Sequence, residues 1–255
     1  NGMINQAEEK IHRSIKALPY KIENGVFFFI PAEYARMGVT GEGTMRDFVK
    51  KNAPRLYESI LAVMNPSFLQ GMSVAKAVKR AFPGGHSDRI IIDIGSGTKN
   101  VENDIITLDH YPYEGVDVVA DATHLPFIDA SIDMVISVSL LEHISEPEKA
   151  IAEMVRVLKP GGYFYCAVPF MYPFHSAPSD YSRFTLKWFH HRLTGFTVVR
   201  SGVDAGPVTA LTIFLSYFFG IVFSFGSRVW YSLLRDLFMA IFVPLRLLDL
   251  LISRL

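Results

Sequence analysis

The sequence predicts an α/β protein with a doubly wound, mainly parallel sheet and helices on both of its faces. Two observations predict this class. Short β-branched runs alternate with helical patterns between residues 89 and 204, which is typical of a parallel sheet with crossover helices. The first run, Arg89–Ile94, is almost continuously apolar, as expected for a strand that is covered on both faces.

Four further strands and one clear helix follow in order. The helix begins near Ser145, the predicted N-cap, and has Pro147 and Glu148 in its first turn. It is predicted to stop at the segment 159–162, Lys-Pro-Gly-Gly. A strand over Phe196–Val203 is expected after the main series. The predicted strands of the main series are Ile105–Leu108, Val116–Ala120, Met134–Ser139 and Tyr163–Val168.

The 255 residues divide into three predicted regions. Residues 1–88 form an N-terminal preamble with an apolar run over Val26–Ile30. The segment Pro19–Pro31 predicts a β-hairpin that caps the sheet, and helices are expected over 44–64 and 73–82. Residues 89–204 form the α/β domain. Residues 205–255 form a strongly apolar helical tail.

Composition excludes several classes of protein. The sequence has 25 basic residues (Lys plus Arg) and 25 acidic residues (Asp plus Glu). The protein therefore has no overall positive charge with which to bind nucleic acid, and we expect no nucleic-acid partner. The single cysteine, Cys166, excludes an intramolecular disulfide and a cysteine-built zinc site. The charged residues of the first 20 positions do not resemble a signal peptide, so we expect a cytoplasmic protein.

The tail begins with 23 uncharged residues, 205–227, which are enough to cross a bilayer as a helix. The segment after it is interrupted by charges, and Pro244 is expected to kink or end a helix there. Three interpretations stay open for the tail: a buried or dimer-forming helix, a membrane-associated hairpin, and a single span. The second places the protein peripherally on the cytoplasmic membrane face through residues 205–255; the first makes it a homodimer.

A glycine-rich turn marks the candidate site. Gly95 and Gly97 follow Asp93 at the end of the first strand, where glycine permits a tight turn and lets a ligand approach the backbone. Asp109 ends the second strand and Asp121 follows the third. Ligands of open α/β sheets bind at the carboxyl ends of the strands, and a carboxylate there suits the hydroxyls of a ribose. These residues predict a nucleoside-shaped site.

Residues 91–97 (IIDIGSG), residues 116–169 and the strand-end acids together resemble class I S-adenosylmethionine-dependent methyltransferases of the type-11 kind. The resemblance implies a Rossmann-like, seven-stranded fold and S-adenosylmethionine as cofactor. It implies that Gly95 and Gly97 lie against the methionine portion of the cofactor, with Asp93 near its amino group, and that Asp109 holds the ribose hydroxyls. Asp121 and Ala122 would face the adenine, and Ser137 and Val138 would lie beside the transferred methyl.

The sequence departs from that family pattern after the glycine turn. Lys99 and Asn100 occupy the region of the usual third glycine. Only eleven residues separate Gly97 from Asp109, which is short for a helix, a loop and a strand. The first crossover helix is therefore predicted to be reduced to a turn.

A second segment, Pro169–Thr185, follows the fifth strand on the same edge of the sheet. It resembles the H-x-x-P-x-D-Y-x-R-F-T signature of a methyltransferase subgroup associated with polysaccharide and glycoconjugate synthesis. Such a loop can recognise substrate and exclude water. Tyr181 and Arg183 are the predicted substrate-binding residues. The alternative is that Asp180 and Arg183 form an internal salt bridge that only holds the loop.

The sulfonium of the cofactor already activates its methyl, so the protein needs to align an acceptor and remove a proton where required. We therefore expect no metal. His143 and His175 are the candidate bases because histidine titrates near neutrality, and Asp180 is the third predicted catalytic residue. A structural role for each histidine stays open.

The leading hypothesis is a methyltransferase that acts on a glycoconjugate or a lipid-linked acceptor at the inner membrane face. In the nearest variant the acceptor is a small molecule and the tail only dimerises. The rival is a catalytically silent module that binds S-adenosylmethionine or assists membrane assembly.

Overall fold

A computed structural model describes residues 6–31, 71–98, 104–175 and 179–252. The chain forms two compact units. The first unit comprises residues 1–40, 73–170 and 175–195, and the second comprises 41–72, 171–174 and 196–255. The helix predicted over 44–64 lies outside the described residues, as do residues 99–103 of the crossover between Gly97 and Asp109, so the predicted reduction of that crossover to a turn stays a prediction.

The first unit is built on a seven-stranded sheet in the order β1-β2-β5-β4-β3-β6-β7. All neighbouring strands are parallel except β1 and β2, which form an antiparallel hairpin. The strands are β1 Lys21–Glu23, β2 Val26–Phe28, β3 Ile91–Ile94, β4 Ile106–Asp109, β5 Val118–Val119, β6 Ile132–Val138 and β7 Leu158–Ala167. This confirms the predicted Rossmann-like α/β class.

Within the described ranges of the first unit, four helices accompany the sheet: α1 Gln6–Ser14, α2 Val74–Ala81, α3 Pro147–Val157 and α4 Leu186–Arg192, with a 3₁₀ turn over Leu141–His143. Every residue of β3 and β4 is buried, as expected for central strands. In α3, Ala150, Ile151 and Met154 are buried on one face, which matches the predicted helical spacing. The sheet core thus holds the carboxyl ends of its strands in fixed register.

The hairpin prediction is confirmed. β2 pairs in parallel with β5, and the N–H groups of Phe27 and Phe29 each donate 2.8 Å bonds to the carbonyls of Asp117 and Val119. The hairpin therefore satisfies the edge of β5 and closes that side of the sheet.

Three local predictions are corrected. Glu146, not Ser145, is the N-cap of α3, and its side chain makes no capping bond. β7 begins at Leu158, before the Lys-Pro-Gly-Gly segment, because Leu158 pairs with Ile132 and Tyr163 with Met134. Residues 159–162 thus form a bulge inside the ladder. Residues 196–203 form no strand in the described structure.

The described residues of the second unit that follow residue 206 form a helical hairpin. Helix α5 (Pro207–Ser224) packs along α6 (Arg228–Phe242), followed by a 3₁₀ turn (Val243–Leu247) and α7 (Leu248–Ile252). The helix break at Pro244 confirms the prediction. α5 is the one helix within the described residues that has the length and composition to cross a membrane.

The start of α5 is fixed by a buried acid. Asp249 is 1% exposed, and its carboxylate accepts hydrogen bonds from the N–H groups of Val208 at 2.9 Å and Thr209 at 2.8 Å. A carboxylate favours a helix N-terminus because it satisfies free donors and complements the helix dipole. A Cβ at Gly206 would lie 2.3 Å from Cγ of Asp249, so glycine permits this approach.

Candidate functional site

The glycine turn after β3 is held by backbone bonds from β4. The N–H groups of Gly95 and Ser96 donate to the carbonyl of Leu108 at 2.8 and 3.2 Å. Gly95 has φ +77°, and a Cβ there would lie 2.8 Å from Cδ1 of Leu140. Glycine is required at this position both for its backbone conformation and for close packing.

Asp109 joins the turn to the end of β4. Its Oδ2 accepts a 2.9 Å hydrogen bond from the N–H of Gly97, and its Oδ1 accepts a 3.0 Å bond from the N–H of Tyr111. Each carboxylate oxygen has two acceptor positions, so one on each oxygen remains for a ligand. Asp109 is therefore both a structural acid and a candidate for holding a diol.

Asp121 and Ala122 lie beside Asp109, because the N–H of Ala120 donates to the carbonyl of Asp109 at 3.0 Å. Asp121 Oδ1 accepts bonds from the N–H and the hydroxyl of Thr123, at 2.8 and 2.7 Å. This Asx-type turn fixes the backbone after β5. It orients Ala122, which is buried.

Asp93, Ser137 and Val138 lie at the same edge. In the ladder Ile94 is opposite Ser137, and Asp93 is opposite Ile136. Asp93 and Ser137 are both buried, and Oγ of Ser137 has no hydrogen-bond partner within the described part of the chain. The structure therefore brings all eight predicted cofactor residues to the carboxyl ends of β3, β4, β5 and β6.

The predicted catalytic residues form a second group after β6 and β7. His143 and His175 meet edge to face with ring centroids 5.0 Å apart. Nδ1 of His143 makes a short hydrogen bond to the carbonyl of Ser179. Because a carbonyl only accepts, Nδ1 carries a proton, and in the neutral form of the ring the lone pair is then on Nε2.

Asp180 organises the loop that carries His175. Its Oδ2 accepts a 2.9 Å bond from the N–H of His175, lies 3.5 Å from Nδ1 of the same ring, and accepts a 2.7 Å bond from Arg183. The hydrogen bond from Arg183 is the largest influence on this carboxyl and lowers its pKa. Asp180 and Arg183 thus form the internal pair that the sequence left open, while Tyr181 is largely exposed.

Glu142 is a residue that the sequence analysis missed. It is completely buried, and neither oxygen of its carboxylate has a hydrogen-bond partner among the described residues. Burial raises the pKa of Glu142, against the opposing effect of its own backbone N–H and of nearby His143 and Arg183. In the sequence it looks like an ordinary first-turn acid, so no local signal distinguishes it.

The site fits S-adenosylmethionine at three points. Apart from the two neighbours of Gly97 in the chain, no described atom lies within 4 Å of a Cβ built on Gly97, so the turn opens onto space that a ligand can occupy. Asp109 next to it keeps an acceptor position on each oxygen for ribose hydroxyls. Asp93 adds a buried carboxylate next to the turn, which suits an ammonium group.

Comparison with known proteins agrees with this geometry. Residues 92–166 match a family described as a methyltransferase domain. A demethylmenaquinone methyltransferase of Renibacterium salmoninarum is 44% identical over 67 residues, which are 25% of this chain and 28% of that protein. A Mycolicibacterium smegmatis protein named as a probable S-adenosylmethionine-dependent methyltransferase is 31% identical over 88 residues, 33% of this chain and 34% of that protein.

The chain thus covers about a third or less of the length of these two curated relatives. Among solved structures, a phosphoethanolamine N-methyltransferase 2 of Haemonchus contortus bound to phosphomonomethylethanolamine and S-adenosylhomocysteine is similar. It has 16% identity and a TM-score of 0.45, and the alignment covers 81% of this chain and 57% of that one. The family match contains the whole glycine turn, Asp109, Asp121 and Ser137.

Proposed function

We propose that the protein transfers a methyl group from S-adenosylmethionine to an acceptor. The observation that carries this proposal is the bond from the Gly97 N–H to Asp109, which joins the glycine turn to the strand-end acid inside the segment that matches a methyltransferase domain. Such a joined turn and acid form a nucleoside site at the carboxyl edge of the sheet.

In this proposal the chain's own residues bind and orient. Asp109 accepts the ribose hydroxyls, Asp93 accepts the ammonium group, and Gly95 and Gly97 let the backbone approach the cofactor. When bound, the cofactor supplies a methyl already activated by its sulfonium. His143, with its Nε2 lone pair available, accepts a proton from an acceptor that must lose one.

The second unit supports an acceptor held at a membrane. The buried face of α5 carries small and polar residues, among them Thr212, Ser216 and Gly220. The hydroxyls of Thr212 and Ser216 are satisfied by backbone carbonyls one turn back, at 2.8 and 2.7 Å. Its outer face exposes large apolar side chains, namely Leu211, Phe214, Phe218 and Ile221.

The helix also packs large apolar side chains inward, since Phe219 contacts Phe238 of α6 with ring centroids 5.0 Å apart. A helix that is apolar on all sides is typical of a membrane segment or a buried core, and small residues at part of the helix interface are common in membrane helices. α6 continues the apolar surface with Val229, Trp230, Leu233, Leu237 and Ile241. We therefore infer that the protein lies on the cytoplasmic membrane face and that its acceptor is a lipid-linked intermediate or a glycoconjugate, the second on the resemblance of Pro169–Thr185 alone.

Calorimetric titration with S-adenosylmethionine and S-adenosylhomocysteine tests the cofactor site. We expect saturable binding by the full chain and its loss in Asp109→Ala. Transfer of labelled methyl from the cofactor to extracted membrane lipids then tests the activity. Saturable binding with no methyl transfer to any fraction would favour the alternative, a catalytically silent module that binds S-adenosylmethionine.

A further inference from the structure

Three potential metal ligands converge at the end of β6. Glu142 and His143 come from the 3₁₀ turn, and His175 comes from the loop after β7. One ligand atom from each lies within 4.8 Å of the other two, and Nε2 of His143 is 3.8 Å from Oε1 of Glu142. Ligands bound at about 2.0–2.2 Å in a tetrahedral site are about 3.4 Å apart, so small side-chain movements suffice.

The buried Glu142 is the observation that points to a ligand. Burying a carboxylate without a hydrogen bond is costly, and such groups are rare in folded proteins. Both oxygens of Glu142 lack a partner within the described structure and the residue is 0% exposed. A cation between Glu142 and the two imidazoles would satisfy the carboxylate.

The surrounding bonds are those of a supported metal site. Nδ1 of His143 is held by the carbonyl of Ser179, so Nε2 is the nitrogen that faces Glu142. Nδ1 of His175 lies 3.5 Å from Asp180, which is itself fixed by Arg183. Metal-binding histidines commonly direct their second nitrogen to a backbone carbonyl or a carboxylate. His143 does so through its bond to Ser179, whereas Nδ1 of His175 faces the carboxylate of Asp180 at 3.5 Å, an ion-pair distance and not a hydrogen bond.

We propose that Glu142, His143 and His175 bind a divalent first-row transition-metal ion. Two imidazoles and one carboxylate suit Zn²⁺ and its neighbours, whereas Mg²⁺ prefers oxygen ligands. Three protein ligands leave a coordination position open for water or an acceptor oxygen. The bound ion takes the lone pair of His143 Nε2, so His143 acts as the base proposed above only in the metal-free protein. This proposal departs from the expectation of no metal, because two of the ligands are 32 residues apart in the sequence and only the fold joins them.

Zn²⁺ titration of the metal-stripped full chain, without S-adenosylmethionine, tests the site. We expect the wild type to bind one Zn²⁺ per chain. In His143→Ala, His175→Ala and Glu142→Gln the dissociation constant for Zn²⁺ should rise by about tenfold or more. His191→Ala on α4 is the matched control, since that histidine is exposed and outside the cluster. No binding by the wild type, or equal binding by the three variants, overturns the proposal.

Thermal unfolding separates loss of a ligand from loss of the fold. In chelator, Glu142→Gln should unfold at the same temperature as the wild type or higher, because the variant removes an unpaired buried charge. Zn²⁺ should raise the unfolding temperature of the wild type but not of the variant. Equal Zn²⁺ shifts in both proteins contradict the site. The titration requires no cofactor, so its outcome is independent of whether S-adenosylmethionine binds.

Discussion

The backbone N–H of Gly97 donates a 2.9 Å hydrogen bond to Oδ2 of Asp109, so the proposed ribose acid also holds the glycine turn. Asp109→Asn keeps the side-chain size but replaces one acceptor oxygen by an NH₂ donor. We expect S-adenosylhomocysteine affinity to fall about 10- to 100-fold, the equivalent of one lost hydrogen bond to a charged group. Calorimetric titration measures this change.

Asp129→Asn serves as the control, because Asp129 is an exposed acid that pairs with Arg156 away from the turn. Unchanged affinity in Asp109→Asn would remove Asp109 from the nucleoside site. Equal losses in the two variants would indicate a general effect of charge.

The two glycines of the turn should respond differently to alanine. Gly95→Ala combines positive φ with a 2.8 Å contact to Leu140, so it should destabilise the fold by about 2–4 kcal/mol. Gly97→Ala has positive φ but open space around its Cβ, so we expect a cost of about 1 kcal/mol. Its added methyl enters the space proposed for the cofactor, and S-adenosylhomocysteine binding should be lost. Chemical unfolding and calorimetry measure the two effects.

A double variant provides the control for this pair. Adding Leu140→Ala to Gly95→Ala removes Cγ and Cδ1 of Leu140 but leaves its Cβ 2.9 Å from the new methyl group, so only part of the lost stability should return. If Gly97→Ala binds S-adenosylhomocysteine as tightly as the wild type, the open space at the turn is not the cofactor site.

The sequence predicts the sheet well where local pattern and burial agree. The apolar run at Ile91–Ile94 and the face of α3 both follow from spacing alone. The strand predicted at 196–203 failed because β-branched residues favour strands only when a partner strand covers them. Val198 and Val199 are instead more than half exposed.

In the candidate site, too, some residues could be placed from the sequence pattern and others could not. Acids that follow predicted strands must meet at one sheet edge, so Asp93, Asp109 and Asp121 could be placed together from sequence. The burial of Glu142 and its approach to His175 depend on how a loop after β7 folds back, and no spacing encodes that. The same loop decides between a substrate contact and an internal pair for Arg183.

His175→Ala should reduce methyl transfer far more than cofactor binding. His175 lies in the cluster with His143, whereas the glycine turn is held by bonds from Leu108 and Asp109. We expect turnover to fall by about 10²-fold or more, as for removal of a positioned base or its partner. Titration should show S-adenosylhomocysteine affinity within about twofold of the wild type. Equal loss of turnover and affinity would contradict a role of His175 on the acceptor side. His191→Ala is the control for both measurements.

Asp133 should make stability depend on acid pH. Burial acts to raise its pKa, but bonds from Lys159 at 2.7 Å, the Ile90 N–H at 2.9 Å and Arg89 at 3.3 Å outweigh it, and the net pKa is lowered. A folded-state pKa below the unfolded one adds stability above the unfolded pKa, about 3.9, and this stability is lost as pH falls through the folded pKa.

Asp133→Asn should therefore destabilise the protein at pH 7 by about 1–3 kcal/mol and flatten the loss of stability below about pH 4. Urea unfolding across pH 2.5–7 measures both effects. Asp88→Asn is the control, because Asp88 is mostly exposed beside Arg89. Parallel pH profiles for wild type and Asp133→Asn would contradict this role.

The outer face of α5 gives a test of membrane contact. Phe218 and Ile221 are 56% and 62% exposed on that face, and a lysine costs about 2.5–3.5 kcal/mol at the centre of a membrane helix. We expect the full chain to float with vesicles of phosphatidylcholine and phosphatidylglycerol after a high-salt wash, and Phe218→Lys/Ile221→Lys to stay at the bottom of the gradient. Leu18→Lys/Tyr20→Lys, at exposed positions of the first unit, should float as the wild type does. The contrary outcome is a wild type that does not bind vesicles and sediments as a dimer, while the α5 variant sediments as a monomer. The apolar face would then be a dimer interface, and the proposal of a lipid-linked acceptor would lose its support.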